Sequence, residues 1–242
     1  MRFRYHQPVP DFYKIENPKN PKTIIKDNIL KEFIDIVIAS NFVGLSYSKL
    51  SDEFKKEWKI DWDNIIILKY VMSHDILKMN PSKEKCQLMD DEFQEVGIKA
   101  FALADVLREF GFEADLINPL DDRVSLRAIA MQSNDAVITR SNMCMFKEGL
   151  NIGFFMIKTS IENLPFKKEN DMLWVSHYCS TCGVCVDRCP ENAFDENGKF
   201  LRKLCTAHRE GCSKCIDLCP FYKRGYDKVK KRYGRMKKWM IK

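Results

Sequence analysis

Apolar positions recur at helical spacing along the stretch TIIKDNILKEFIDIVIAS, which begins at Thr23. The recurring positions are Ile25, Ile29, Phe33, Ile36 and Val37. Steps of three and four residues place these side chains on one face, so the pattern predicts an amphipathic helix. Thr23 carries the hydroxyl that an N-cap position favours, and we expect the helix to begin there.

A second helical pattern lies in DDEFQEVGIKAFALADVLREFGFEADLI, which begins at Asp90. The predicted inner face consists of Phe93, Val96, Ala100, Leu103, Ala104 and Leu107. Gly111 is well placed to end this helix, because glycine adopts the left-handed conformation that is common just past helix C-termini. The FEADLI stretch that follows has the composition of a strand.

Two further segments are short, apolar and rich in β-branched residues, as buried strands are. They are NIIILKYVM, at residues 64–72, and IGFFMIKT, at residues 152–159. Helices that alternate with strands across residues 23–170 predict a layered α/β or α+β domain.

The character of the chain changes near Asp171. From Trp174 onwards, apolar periodicity gives way to cysteines, prolines and charged residues. Because this part contains few large aliphatic side chains, we expect its fold to depend on whatever its thiols bind. The predicted divisions are an extended N-terminal arm (1–22), an α+β cofactor or substrate domain (23–172), a small cysteine-rich domain (173–222) and a basic C-terminal helix (223–242).

Eight of the ten cysteines lie in the cysteine-rich domain, in two runs of four. The first run is C-x2-C-x2-C-x3-C-P, which is typical of bacterial ferredoxins, and the second repeats it with a longer first interval. In proteins with two such runs, the fourth cysteine of each run binds the other cluster. The sequence therefore predicts two [4Fe–4S] clusters. The predicted ligands are Cys179, Cys182, Cys185 and Cys219 for the first cluster, and Cys189, Cys205, Cys212 and Cys215 for the second.

The beginning of the chain has no apolar run of the kind found in signal peptides, and apolar stretches such as Ile65–Leu68 are far too short to span a bilayer. These features predict a cytoplasmic protein without a transmembrane segment. Disulfides are uncommon in that reducing compartment. Zinc sites commonly use two CxxC pairs, and a thioredoxin-like motif uses only one pair. Neither alternative calls for two runs of four cysteines. Cys86 and Cys144 lie outside both runs, and isolated cysteines of this kind are most often unreactive core residues.

Positive charge is concentrated in the last 20 residues, which contain ten Lys or Arg and one Asp. This segment carries +9, so the rest of the chain carries −3. Its apolar residues recur at helical spacing. This predicts a C-terminal helix that packs on the rest of the protein through one apolar stripe. The stripe consists of Tyr226, Val229, Tyr233, Met236 and Met240. The cationic remainder is either a solvated surface or a patch for a tRNA, an acidic redox partner or a membrane surface.

The paired cysteine runs, with Cys205 at its extended distance and the closing GCSKCIDLCP, resemble those of epoxyqueuosine reductases and reductive dehalogenases. Weaker similarity runs upstream through GFEADLINPLDDRVSLRAIAMQSN to Leu164–Pro165. The resemblance implies a nitroreductase-like α+β fold with α/β/α layers. It also implies cobalamin as a cofactor and an electron donor such as a ferredoxin or flavodoxin. In these enzymes electrons pass through two clusters to a corrinoid, which acts on an epoxide, a carbon–halogen bond or a related group.

The resemblance also suggests individual residues. Aligning Leu126–Ala128 with a Leu-Glu-Arg segment of the epoxyqueuosine reductases puts Asp121 nearest their proton-donating acid, although a solvated turn also explains it. Tyr70 matches an aromatic residue of their substrate pocket, or is a core tyrosine. Asn142 and Gly153 are the counterparts of a glycine-rich corrinoid loop. The surrounding stretch contains few other glycines, which departs from the family because only glycine leaves the backbone open to close approach.

His74, followed by Asp75, comes after the strand at residues 64–72, where either a catalytic site or a polar turn can form. The sequence contains neither GxGxxG nor a P-loop. Two functions stay open. One is an iron–sulfur oxidoreductase that passes single electrons to a site in the N-terminal domain, with or without a corrinoid. The other is a non-catalytic electron-transfer or assembly protein whose N-terminal domain is a docking module.

Overall fold

The structure is a computed structural model that describes residues 12–118 and 124–240. Its packing divides it into two compact units, each assembled from three separate segments of the chain. The first unit takes its described residues from Met1–Val71, Asp90–Asn134 and Gly153–Glu169, and the second from Met72–Met89, Asp135–Ile152 and Asn170–Lys242. The cysteine-rich segment therefore packs together with two segments that precede it in the sequence.

The strands are β1 (Gly44–Lys49), β2 (Asn64–Val71), β3 (Ala114–Leu116), β4 (Val137–Ile138), β5 (Cys144–Met145) and β6 (Ile152–Thr159). The longer helices are α1 (Asp27–Ala39), α2 (Asp52–Trp58), α4 (Lys83–Glu109), α5 (Leu126–Gln132), α6 (Trp174–Cys182) and α11 (Tyr226–Met240). The short ones are α3 (His74–Lys78), α7 (Val184–Asp187), α8 (Ala207–Glu210), α9 (Lys214–Asp217) and α10 (Pro220–Arg224). This mixture of helices and strands confirms the mixed α/β class predicted from the sequence.

A four-stranded sheet, in the order β1-β2-β6-β3, forms the centre of the first unit. β1 pairs with β2, and β3 with β6, both antiparallel. β2 is buried along its length apart from Val71, because it lies between two other strands. α1 and α5 both contact β1. The two apolar segments predicted as strands are thus the two central strands of the sheet.

The prediction that the first helix begins at Thr23 is wrong, since α1 begins at Asp27. The backbone carbonyl of Thr23 accepts a hydrogen bond of 2.8 Å from the Glu162 amide, and the Ile25 amide donates one of 2.8 Å to the Asn163 side chain. These bonds hold the chain in an extended form before α1. The partner residues lie far away in sequence, so no local pattern predicts them.

α4 begins seven residues before the predicted Asp90, at Lys83. Its end agrees with the prediction, because the chain leaves the helix after Glu109 and Gly111 follows with φ +90°. In this conformation a side chain would be strained. Ala100, Leu103 and the other C-terminal members of the predicted inner face are fully buried.

Arg108, in the last turn of α4, fixes the described part of the N-terminal arm. Its guanidinium donates hydrogen bonds to the carbonyls of Ile15 and Ala114, at 2.6 and 2.8 Å, and forms an ion pair with Asp115. The guanidinium carbon also lies 3.6 Å from the centre of the Tyr13 ring. Because the side chain of Arg108 is almost fully buried, these contacts satisfy a charge that has lost its water.

The second unit has a hydrophobic core of its own. Its buried members are Leu77, Val137, Met145, Leu150, Met172, Val175, Tyr178, Ile216, Phe221, Tyr226 and Val229. The first four belong to the segments that precede the cysteine-rich region. Other parts of the chain therefore supply the large aliphatic side chains that are few in the cysteine-rich region itself.

Aromatic packing holds α11 against α6. Trp174 stacks on Tyr233, with ring centres 5.2 Å apart, and its indole N–H donates a hydrogen bond of 2.9 Å to the hydroxyl of Tyr226. Tyr226 and Val229 are buried, as the apolar stripe predicts, whereas the side chains from Met236 onwards lie outside the described residues. No helix in the described ranges combines the length and hydropathy needed to cross a bilayer.

Candidate metal centre

A small cavity in the second unit is lined by cysteines from both runs. Cys179 and Cys182 lie on α6, and Cys185 lies on α7. Gly183, with φ +62°, joins the two helices in a conformation that favours glycine. Cys219 reaches the same cavity from the position just before α10. The cavity therefore brings together the four cysteines predicted as ligands of the first cluster.

The electrostatic contacts between the thiols agree with this grouping. Cys219 interacts with Cys179 and Cys182, and Cys185 interacts with the same two residues. The fourth cysteine of the second run thus lies beside the first three of the first run. This is the crossing that interleaved cluster ligands require.

The remaining thiols form a second group. Cys205 interacts with Cys189 and Cys212, and Cys215 interacts with Cys205 and Cys212. Cys215 also interacts with Cys185, and it lines the cavity of the first group. The two groups are therefore immediate neighbours, which is the arrangement that electron transfer between two clusters needs. That iron binds there stays a prediction.

A single metal ion and a [4Fe–4S] cluster need their ligands in different arrangements. Among the described residues, no three histidine, cysteine, aspartate or glutamate side chains converge as ligands of one metal ion do. A zinc ion needs four ligands pointing at one centre. A [4Fe–4S] cluster instead binds each thiolate at a different iron, so its ligands surround a space. Five cysteines line the cavity, and four of them are the predicted ligands of the first cluster.

Hydrogen-bond donors are directed at the sulfur atoms. The amide of Ala193 donates to the Cys189 sulfur at 3.4 Å, and the backbone N–H of Arg140 donates to Cys179. The hydroxyl oxygen of Thr206 is buried and has no partner among the described residues. Thr206 directly follows Cys205, a predicted ligand of the second cluster. Such bonds stabilise thiolates and help to set cluster potentials.

Burial opposes ionisation of the free thiols. It raises the pKa of Cys215 and of Cys219 to about 12, and it also raises the pKa of Cys179, Cys185 and Cys205. These side chains are therefore thiols at neutral pH when no metal is bound. Because clusters bind thiolates, loading the site must release protons.

Arg140 fastens the β4–β5 hairpin to the cysteine-rich segment. Its guanidinium donates hydrogen bonds to the carbonyls of Ser180, Asn197 and Gly198, at 3.0, 3.1 and 3.4 Å. A Cβ added at Gly198 would lie 1.9 Å from the guanidinium, so only glycine allows this approach. The stretch that the resemblance aligned with a corrinoid loop thus binds the cysteine-rich segment.

The residues suggested for a corrinoid do not fit one. A Cβ added at Gly153 would lie 2.3 Å from the ring of Tyr70, so the space beside this glycine is already filled. Tyr70 itself is buried and packs against Phe155, with ring centres 6.0 Å apart. Asn142 occupies the turn of the β4–β5 hairpin with φ +60°. We therefore derive no step through a corrinoid.

The other predicted catalytic residues lie elsewhere. His74 is the first residue of α3, more than half exposed, with its Nδ1 3.7 Å from the Asp75 carboxylate and its ring 6.0 Å from that of Tyr222. Asp121 lies outside the described residues. The roles proposed for these two side chains stay predictions.

Two further side chains lie beside the cysteine groups. Tyr178 is buried, lines the cavity, and its hydroxyl forms a hydrogen bond with Cys182. Lys85 is buried beside the second cysteine group. The position of Tyr178 directly before Cys179 indicated from sequence that it lies near the first group. Lys85 was overlooked, because it precedes the helical pattern that began at Asp90 and nothing local marks it.

No protein-family model matches the chain, and no curated protein sequence matches it either. Solved structures do match. The catabolic reductive dehalogenase NpRdhA, in complex with 3-bromo-4-hydroxybenzoic acid, is 16% identical and has a TM-score of 0.59, with 77% of this chain and 31% of that chain covered. A reductive dehalogenase solved in connection with B12-dependent dehalogenation is 15% identical and has a TM-score of 0.61, with 91% of this chain and 35% of that chain covered.

Epoxyqueuosine reductase from Streptococcus thermophilus is 15% identical and has a TM-score of 0.52, with 81% of this chain and 66% of that chain covered. The chain thus spans about a third of the length of the dehalogenases and 66% of the length of this reductase. The structural resemblance predicted from the cysteine pattern is confirmed. At these identities the similarity establishes a shared fold.

The packing of Tyr70 on Gly153 gives a testable prediction. We expect Gly153→Ala to destabilise the protein by about 1–3 kcal/mol, because the new methyl group overlaps the ring. In a Tyr70→Leu background the same change should cost less, as chemical denaturation of the four proteins can measure. Gly234→Ala on α11 is the control, since nothing lies within 4 Å of an added Cβ there. An equal cost in both backgrounds would contradict the contact.

Proposed function

We propose that this protein is an iron–sulfur reductase of the structural type shared by reductive dehalogenases and epoxyqueuosine reductases. In this proposal two [4Fe–4S] clusters in the second unit carry single electrons to an acceptor bound by the N-terminal domain. The grouping of eight thiols across the two runs is the observation that carries it. When bound, the clusters supply reversible one-electron transfer.

The residues of the chain have distinct tasks in this proposal. The first cluster is held by Cys179, Cys182, Cys185 and Cys219, and the second by Cys189, Cys205, Cys212 and Cys215. Apolar side chains, among them Leu150 and Phe221, line the first cavity and limit access of water. Arg140 closes the loop between the two runs by binding three carbonyls. Burial and N–H donors together set the potential at which each cluster accepts an electron.

An electron carrier without a substrate site of its own is the second candidate. The ring of Tyr70 against Gly153 favours it, because it fills the backbone approach that a corrinoid would need. The thiols have the same tasks in both functions. The two differ only in whether the N-terminal domain binds a cofactor or substrate.

Anaerobic purification with iron and zinc analysis tests the proposal. The ligand count predicts about eight irons per chain. Titration of the cluster-loaded protein with cobalamin, followed by gel filtration, then separates the two candidates. A corrin absorption band that stays with the protein supports a cobalamin-dependent enzyme. No retained corrin supports the carrier, whereas zinc in place of iron would refute both.

The interleaved ligands predict which cysteine variants behave alike. Cys219→Ser should remove the same electron paramagnetic resonance signal as Cys179→Ser, although the two residues belong to different runs. Cys189→Ser should instead remove the signal that Cys212→Ser removes. In each variant about half of the iron should be lost, since four of eight ligands serve each cluster.

Cys86→Ala is the matched control and should keep both signals. The interleaved assignment would be wrong if Cys219→Ser removed the signal that Cys212→Ser removes. Comparing signals keeps the test decisive even where a variant loses part of its remaining cluster during purification.

A further inference from the structure

A groove between α10 and α11 carries an unusual density of positive charge. It has a volume of about 730 Å³, and we name it the α10–α11 groove. Its cations are Arg224, Lys228, Lys231, Arg232 and Arg235. All five are exposed, and within the described ranges no carboxylate forms an ion pair with any of them.

The floor of this groove leads to the first cysteine group. Tyr178 lines both the groove and the cavity that contains the thiols. Its phenol interacts electrostatically with Arg232 of the groove and forms a hydrogen bond with Cys182 of the cavity. One buried side chain thus separates a cationic surface from a predicted cluster ligand.

We propose that the α10–α11 groove docks the acidic surface of a small one-electron donor protein of the flavodoxin or ferredoxin class. This proposal rests on the proposed function, because it needs a cluster behind Tyr178. Unpaired cations at a concave surface attract carboxylates and steer association. Their place in front of the first cysteine group favours a redox partner over a nucleic acid, which would gain nothing from proximity to the thiols.

Charge reversal in the groove tests the docking. We expect Lys228→Glu with Arg232→Glu to slow reduction of the anaerobically loaded protein by an acidic, reduced flavodoxin by at least about tenfold at low ionic strength. The rate should also lose its dependence on salt, because screening no longer weakens an attraction. Stopped-flow absorbance of the clusters measures both effects. Reduction by dithionite, a small molecule that needs no docking, should be unchanged.

The matched control is Lys26→Glu with Lys31→Glu, which changes the net charge equally at exposed positions around α1. Its rate of reduction by flavodoxin should stay close to that of the parent protein. An equal loss of rate in both double variants would overturn the docking site. So would tight binding of a tRNA stem-loop that the groove variant abolishes, if reduction by flavodoxin were unaffected. A chain without iron would refute the proposed function instead, so the two failures are distinguishable.

A separate observation concerns Lys85, near the start of α4. Only 1% of this residue is exposed, which is rare for lysine. Its ammonium donates three hydrogen bonds, to the carbonyls of Leu77 and Met79 at 3.0 and 2.8 Å and to the hydroxyl of Ser213 at 2.7 Å. Three acceptors match the three protons of the charged form. Ser213 directly follows Cys212, a predicted ligand of the second cluster.

We infer that Lys85 is a positioning residue that holds the second cysteine group and raises the reduction potential of its cluster. This inference also depends on the presence of that cluster. A fixed positive charge in a buried site favours the more negative, reduced form of a neighbouring group. The bond to Ser213 holds the backbone between Cys212 and Cys215 in place. Lys85 therefore supplies both a nearby positive charge and a fixed position for the ligands.

A spectroscopic redox titration tests this role. We expect Lys85→Met to lower the midpoint potential of one cluster and to leave the other unchanged, whereas Lys85→Arg should largely restore it. Lys214→Met is the control, because Lys214 is a partly exposed cation beside Asp217 at the same loop. A lower melting temperature with both potentials unchanged would show that Lys85 is purely structural. Loss of all iron in the parent protein would refute the cluster itself.

Discussion

Thiols that must become thiolates under the proposed function are buried in the second unit, and the surrounding side chains and amides bear on this conflict. Burial raises the pKa of Cys215 and Cys219 to about 12, which disfavours the charged form that a metal binds. Backbone N–H groups of Ile216, Phe221 and Tyr222 oppose that penalty. A site of this kind gains by binding a centre that accepts sulfur charge, and the apolar lining then protects the centre from water.

The hydrophobic environment for these thiols is supplied from several parts of the chain. Leu77, Val137 and Leu150 come from segments that precede the cysteine-rich region, yet they belong to the same core as Phe221 and Tyr178. The cysteine-rich region therefore does not behave as a ferredoxin attached to the end of another domain. Its supporting core is interwoven with the chain before it, so deletion of residues 72–89 or 135–152 would remove part of that core.

Local patterns in the sequence predicted what depends on neighbouring residues. The spacing of the cysteines indicated their grouping. Two short apolar segments rich in β-branched residues indicated β2 and β6. Features that depend on distant residues were missed: Glu162 binds the carbonyl of Thr23 and delays the start of α1. Likewise the sequence marked the stretch around Arg140 only as poor in glycine. That it binds the loop containing Gly198 became visible only in three dimensions.

The crossing of Cys219 to Cys179 and Cys182 has a consequence for biosynthesis. A growing polypeptide offers the first site only three of its four thiols until translation reaches residue 219. The second site, under the interleaved assignment, is complete four residues earlier, at Cys215. The site whose ligands begin first along the chain is thus the last to be finished during synthesis.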